Sequence, residues 1–403
     1  MQIGVRAGGL DDQLWPAKVE PEFIAELRAH VAESITPHGD SIDRDDRYPL
    51  DIVRELGRRG YNTVTIEPEH GGLGLSYRHA VSVMEEVAVA SAAVVACMIT
   101  IFQAHTMIRL FGVESLKAQY LPQFSKGLIS SYALTETRHG SDIRHLDTKA
   151  ARDGSGWILS GEKHFMSGGS AAEFAVVLAE TSTGVSTFAV PFNLPGIEVY
   201  NTEDTSTFGL RNGPHSNVRF DNVRLPSDHL IGVEGKGVRQ AVTVLDHSRT
   251  LGAALSMGIA RAAFQDALLY ARDRVAFDQT VLEFQGIQWY FSEMLAEMEA
   301  ARLLIYKAAD SLDSHQDIAR WSSEAKYKAT LMATEVAGKA VRICGAHGVK
   351  NTAPFGRYLR DAKAYEVAGG STEILKNTIA KYLLPMVGLA RPASAPGPKK
   401  APA

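Results

Sequence analysis

Two short segments of this chain collect side chains that suit a flat, polar-edged heterocycle. The first runs Tyr132-Ala133-Leu134-Thr135-Glu136-Thr137-Arg138-His139-Gly140-Ser141-Asp142, the second Gly161-Glu162-Lys163-His164-Phe165-Met166-Ser167. Thr135 and Ser141 carry hydroxyls, Gly140 allows a close backbone approach, and Phe165 offers an aromatic face. An isoalloxazine ring, with hydrogen-bonding edges and apolar faces, matches that set. Standing alone, the Thr-Glu-Thr triplet equally suits a helix cap or a turn. The weight falls on what accompanies it.

Four further blocks follow: Arg272-Asp273-Arg274-Val275-Ala276-Phe277, Phe284-Gln285-Gly286-Ile287-Gln288, Arg342-Ile343-Cys344-Gly345-Ala346-His347-Gly348 and Arg360-Asp361-Ala362-Lys363-Ala364-Tyr365. Singly, each has a plain structural account, such as a cation at a helix C-terminus or an exposed charge cluster. In this order and at these separations they resemble the acyl-CoA dehydrogenase family of flavoproteins, over about residues 20 to 387. The resemblance implies FAD, with contacts from Tyr132, Leu134, Thr135, Gly140, Ser141, Phe165, Ser167, Arg274, Phe277, Gln285, Arg342, Gly345, Ser371 and Glu373. It also implies that Arg274 and Phe277 reach the flavin nucleotide of a neighbouring subunit, hence a homotetramer or homodimer. The implied substrate is an acyl thioester of coenzyme A or a carrier protein, and the implied acceptor an electron-transfer flavoprotein or oxygen. Asp278 stands where the family usually has Gly, and Arg342 where it often has Gln. A cation at 342 can offset the charge at 278 or bind cofactor phosphates.

The chain departs from the family where its chemistry is done. Most members end the segment after Arg-Asp-Ala-Lys in Tyr-Glu-Gly-Thr, with that Glu as catalytic base. Here the segment reads Val367-Ala368-Gly369-Gly370-Ser371-Thr372-Glu373, with Gly369 at the base position. A minority place the base in a Leu-Asp-x-Glu-Arg helix, and here that is Leu245-Asp246-His247-Ser248-Arg249, with Ser248 at the Glu position. Both sites lack a carboxylate. Three outcomes are open: a base from elsewhere, with Asp246 and Glu366 as weak candidates; a base-less, non-catalytic subunit paired with a competent homologue; or a changed reaction, a flavin-dependent monooxygenase or oxidase. A Glu introduced at Gly369 faces a backbone angle that glycine alone adopts easily. At Ser248, in a helix, no such penalty is expected.

The chain's 403 residues, 45% hydrophobic and 22% charged, suit a globular protein of two or three domains. A net charge of −4 gives no electrostatic footprint for nucleic acid. Two cysteines, Cys97 and Cys344, make no disulfide framework and point to a reducing, cytoplasmic setting. Cys344-Gly345-Ala346-His347 lacks metal-site partners, and no His-Glu-x-x-His occurs, so no metal is expected. Met1 to Trp15 has no basic region followed by an apolar run, as a signal peptide needs. The apolar stretch Ala88 to Ile101 falls short of a membrane span and reads as a buried helix.

The elements that must position these residues follow an α+β order. A helical domain, residues 1–128, opens at Pro21-Glu22 and has long apolar periodicity from Val81 to Leu110 and a last helix near Ser115 to Phe124. Glu69-His70-Gly71-Gly72-Leu73-Gly74 reads as a plain loop. A middle β domain, 129–232, has short β-rich runs at 173–179, 186–191 and 217–223. A C-terminal four-helix bundle, 233–388, has helices near Val238 to Arg272, Phe284 to Ser311 and Asp317 to Cys344, and a shorter one capped by Ser371 or Thr372. The Pro/Ala-rich tail, 389–403, is expected to be disordered.

Overall fold

The computed structural model describes residues 12–202 and 205–389. The N-terminal residues 1–11 and nearly all of the tail expected to be disordered lie outside these. The chain runs helices, then strands, then helices, an α+β fold with a middle β domain between two helical domains.

The first long helix, α1 (Pro21–Ser34), has proline in its first turn, where a missing N–H costs nothing, and buries Ile24, Leu27 and Val31 on one stripe. Two short helices follow, α2 (Gly39–Asp45) and α3 (Leu50–Arg58). The long apolar stretch then divides into α4 (Tyr77–Ala90) and α5 (Ala92–Phe111). The divider is Ser91, extended at φ −156° and ψ 107°, whose hydroxyl accepts the Val94 N–H at 3.4 Å. A serine that caps the next helix ends the previous one, a local event that hydrophobic periodicity does not register. At 20 residues, α5 is long and apolar enough to cross a membrane, contrary to the sequence expectation. Most of it is buried in the fold, where Gln103 pairs with Ser248 and Arg109 with Glu67. A last helix, α6 (Glu114–Phe124), leads into the sheet.

Eight strands form the sheet: β1 (Ser130–Ala133), β2 (Lys149–Asp153), β3 (Gly156–Met166), β4 (Phe174–Thr181), β5 (Gly184–Pro191), β6 (Ile197–Tyr200), β7 (Ser216–Leu225) and β8 (Leu230–Ile231). Their order is β6-β7-β3-β2-β4-β5-β8, with β1 parallel to β4. Strand β4 is apolar on both faces because both are covered. Phe174 and Val176 face the helical core, and Ala175, Val177 and Ala179 face the sheet's own core with Trp157, Phe188 and Phe220.

The C-terminal region holds α7 (Gly237–Asp273), a hairpin of β9 (Val275–Ala276) and β10 (Gln279–Thr280), then α8 (Gln285–Ser314), α9 (Ile318–Cys344), α10 (Phe355–Tyr365) and α11 (Thr372–Met386). Buried along most of its length, α7 is rich in small residues from Gly252 to Ala263 that admit close neighbours. A Cβ at Gly252 would run into the Tyr365 ring. One continuous apolar core joins α1, α4 and α5 to α7, α8 and α9, so the two helical regions are packed together. Within it, Arg261 of α7 meets Glu85 and Glu86 of α4 at 2.9 and 3.0 Å, Arg302 of α8 meets Glu85 at 3.2 Å, and Arg28 of α1 meets Glu86 at 3.0 Å.

Candidate active site

The two flavin-type segments, some thirty residues apart in sequence, lie side by side. His164 donates its backbone N–H to Thr135 O at 2.9 Å, and the Ser131 hydroxyl donates to Ser167 O at 2.7 Å. Lys163, fully buried, donates to Leu134 O at 3.2 Å and Glu136 at 2.7 Å. Burial holds this lysine down to about 8, against the pull of Glu136. The sequence reading missed this ion pair, which locks Leu134 and Thr135 onto β3.

Phe165 sits where the β3–β7 register shifts between Lys163 and Met166, with φ +58°. Such an irregularity re-aims a side chain out of the pleat. The Phe165 N–H is held by Asn217 Oδ1 at 3.2 Å, and its ring stacks on His215 at 4.4 Å. Burial lowers His215 to about 4, so the stacked imidazole is neutral. Even so, Phe165 remains 47% exposed. On β1, the Tyr132 hydroxyl is buried with no hydrogen-bond partner among the described residues. Gly140 and Ser141 are exposed, and a Cβ at Gly140 would meet nothing within 4 Å. An available aromatic face, an unmatched hydroxyl and an open backbone approach fit a flavin ring.

Arg274, Phe277 and Gln285 stand apart from these segments, with no hydrogen bond, ion pair or ring contact joining the two groups among the described residues. Arg274 follows α7 directly and is exposed, without an ion pair among the described residues. Phe277 and Asp278 form the two-residue tip of the β9–β10 hairpin at φ +54° and +64°, the signs a type I′ turn demands. Phe277 is 90% exposed there. Arg342 and Gly345, at the end of α9, are exposed as well, and the adjoining His347 stacks on Tyr270 of α7 at 5.1 Å. Ser371 occupies the N-cap position of α11, as expected, but its hydroxyl makes no capping bond. Glu373, in the first turn, is exposed.

The Gly369-Gly370 turn lies between α10 and α11, at φ +68° and +105°. Arg249 Nε donates to Gly369 O at 3.4 Å, and Lys326 Nζ donates to Gly370 O at 2.7 Å. Asp246 pairs with Arg249 Nη1 at 2.6 Å and is buried; burial raises its carboxyl against the pull of that arginine. Glu366 accepts from Thr334 at 2.6 Å and Lys363 at 2.8 Å. Both candidate carboxylates are thus engaged. Ser248 accepts from Gln103 at 3.0 Å and donates to Leu245 O at 3.1 Å, deep in the α5–α7 contact. Lys326 went unnoticed in the sequence. Its signal is a lysine on the buried stripe Ser322, Ala325, Ala329, Ala333 of α9.

A cluster of Glu136, His139 and Asp147 has the spread of a metal site. Its carboxylates are already taken: Glu136 by Lys163 and the amides of Asp147 and Thr148, Asp147 by Arg138.

The family models described as the N-terminal, middle and C-terminal domains of acyl-CoA dehydrogenase match residues 19–128, 131–223 and 235–384. The chain is 33% identical over 372 residues to a probable acyl-CoA dehydrogenase of Mycobacterium leprae, covering 90% of this chain and 95% of that protein. Butyryl-CoA dehydrogenase from Megasphaera elsdenii superposes with a TM-score of 0.87 at 28% identity, over 90% of this chain and 97% of that one. The prolyl acyl carrier protein oxidase AnaB gives 0.85 at 25%, over 90% and 98%. By sequence and fold together, the chain belongs to the acyl-CoA dehydrogenase family of FAD oxidoreductases, which act on acyl thioesters.

Proposed function

We propose that the chain introduces an α,β double bond into the acyl group of a thioester carried by coenzyme A or a carrier protein. The observation that carries this reading is the Gly369-Gly370 turn, whose two carbonyls are held from α7 and α9 although the family's carboxylate is missing. Asp246 fixes the Arg249 guanidinium, and Arg249 fixes the turn. Phe165 and the Tyr132 hydroxyl would seat the flavin ring, with Thr135 and Ser141 at its edge. FAD, when bound, would supply the two-electron acceptor. Electrons would then pass to an electron-transfer flavoprotein or to oxygen.

The exposed hairpin tip supports a site completed by a second copy. Arg274 and Phe277 would reach that copy's nucleotide in a homodimer or homotetramer, with Gln285, Arg342 and Gly345 alongside.

Anaerobic mixing of the FAD-loaded protein with saturated acyl thioesters of varied chain length tests the reading. Bleaching of the flavin with formation of the enoyl thioester is expected. A flavin that no thioester bleaches refutes it, and oxygen-dependent hydroxylation by the reduced protein would put a monooxygenase in its place.

A further inference from the structure

The side chain that borders the vacant base position is a lysine. A Cβ built on Gly369 would have one neighbour within 4 Å, the Cε of Lys326 at 3.9 Å. Lys326 is fully buried on α9, makes no ion pair among the described residues, and lies 5.4 Å from the Tyr365 ring centre. Its Nζ donates to Gly370 O at 2.7 Å. We propose that Lys326 is the base that takes the α-proton of the acyl thioester, in place of the missing carboxylate. The inference rests on the dehydrogenation reading above.

In the step itself, the Nζ lone pair takes the proton from Cα. The electrons of that C–H bond become the Cα–Cβ π bond, and the hydrogen on Cβ leaves with its bonding pair to the oxidised flavin. The substrate loses two hydrogens, one as a proton now on Lys326 and one with two electrons. A neutral amine keeps two N–H bonds, so Lys326 can hold Gly370 O while its lone pair is free for a substrate.

The electrostatics suit the task. Burial, and then the Arg249 charge, lower the Lys326 ammonium to about 7, with Glu366 opposing. A base poised near the working pH is the efficient case. From α7, Lys326 meets Arg249, whose charge Asp246 offsets. From α10 come Tyr365, which burial holds neutral, and Glu366, tied to Thr334 and Lys363. On α11, Glu373 is exposed and Lys376 turns to the Tyr327 ring; on α8, Glu297 is taken by Lys328.

The test is anaerobic single-turnover flavin reduction by a saturated acyl thioester, from about pH 5 to 9. In the wild type the rate should rise with pH through about 7. K326M should lose about 10²- to 10⁴-fold, and added ethylamine should restore part of it. K326R keeps a cation but cannot serve as base, and should lose as much as K326M. If K326R keeps the rate, the cation merely positions the turn and the assignment falls. It also falls if K326M reduces flavin at the wild-type rate, or if the wild-type limb lies in the carboxylate range. A readout independent of turnover, and of how the variants fold, is ¹³C NMR of ε-¹³C-lysine in the FAD-free wild type. A resonance titrating near 7 is expected in addition to that of Lys163 near 8, and no lysine except Lys163 titrating below about 10.4 would overturn the proposal. If wild-type flavin is not reduced by any thioester, the dehydrogenation reading fails and takes this proposal with it; reduction that ignores Lys326 sinks this proposal alone.

Discussion

Gly369 and Ser248, the two positions at which the proposal finds the family's base missing, differ in what they would tolerate. At Gly369 the space for a side chain is open, and the obstacle is φ +68°. A left-handed backbone costs an L-residue about 1–2 kcal/mol. Gly369→Glu should therefore fold with about that loss in denaturant melts, and its carboxylate would lie against Lys326. The expected outcome is a flavin-reduction limb that moves from about 7 toward the ordinary glutamate value, about 4.3; an unmoved limb counts against the carboxylate having become the base. Ser248 reverses the argument made from sequence. Its helical backbone accepts Glu, but the side chain is buried and bonded to Gln103. Ser248→Glu should cost about 1–3 kcal/mol in unmatched polar burial, and a thermal melt equal to wild type would show that the site repacks.

Among the elements, α7 carries two burdens that separate variants will distinguish. Its middle is tied to α4, α8 and α1 through Arg261, Glu85, Glu86, Arg302 and Arg28. Removing one partner of a buried ionic cluster strands the other, so Arg261→Met should destabilise the protein by about 3–5 kcal/mol. Burial alone would raise the Glu86 carboxyl, but Arg261 and Arg28 bring it down to about 2. A depressed carboxyl stabilises the fold above its unfolded value of about 4.5, and that contribution is lost as pH falls from there toward 2. Melting temperatures recorded through this window should drop in the wild type and much less in Arg261→Met. The C-terminal end of α7 presents Arg274 to solvent. Arg274→Ala should leave the melt of the FAD-free protein within about 0.5 kcal/mol of wild type while weakening FAD retention; equal loss of both would make Arg274 structural.

At the scale of the whole molecule, a phenylalanine that is 90% exposed on a positive-φ turn is poorly explained by one copy of the chain. Trp289 and Leu303, at 60% and 62%, extend the exposed apolar surface along α8. Closed symmetric assembly is the usual way such surface is covered. Solution scattering should give a dimer or tetramer, and Phe277→Asp should lose assembly and FAD together. A wild-type monomer that retains FAD would contradict a shared site.

What the sequence determined by itself was whatever is written locally. Proline at the start of α1, the glycine-punctuated β runs and the apolar periodicity of α7, α8 and α9 identify those elements to within a few residues. The spaced blocks identified the family. The tertiary structure decided which distant groups meet. No pattern in the chain pairs Thr135 with His164, puts Lys163 against Glu136, or merges the two helical regions into one core, because such contacts depend on how whole elements pack. The same holds at the site. Glycine at 369 is plain in the sequence, but Lys326, forty-three residues earlier on α9, becomes its neighbour only when α9 packs against α7 and α10. Burial in that packing, which no residue type states, also moves the lysine's proton affinity toward neutrality.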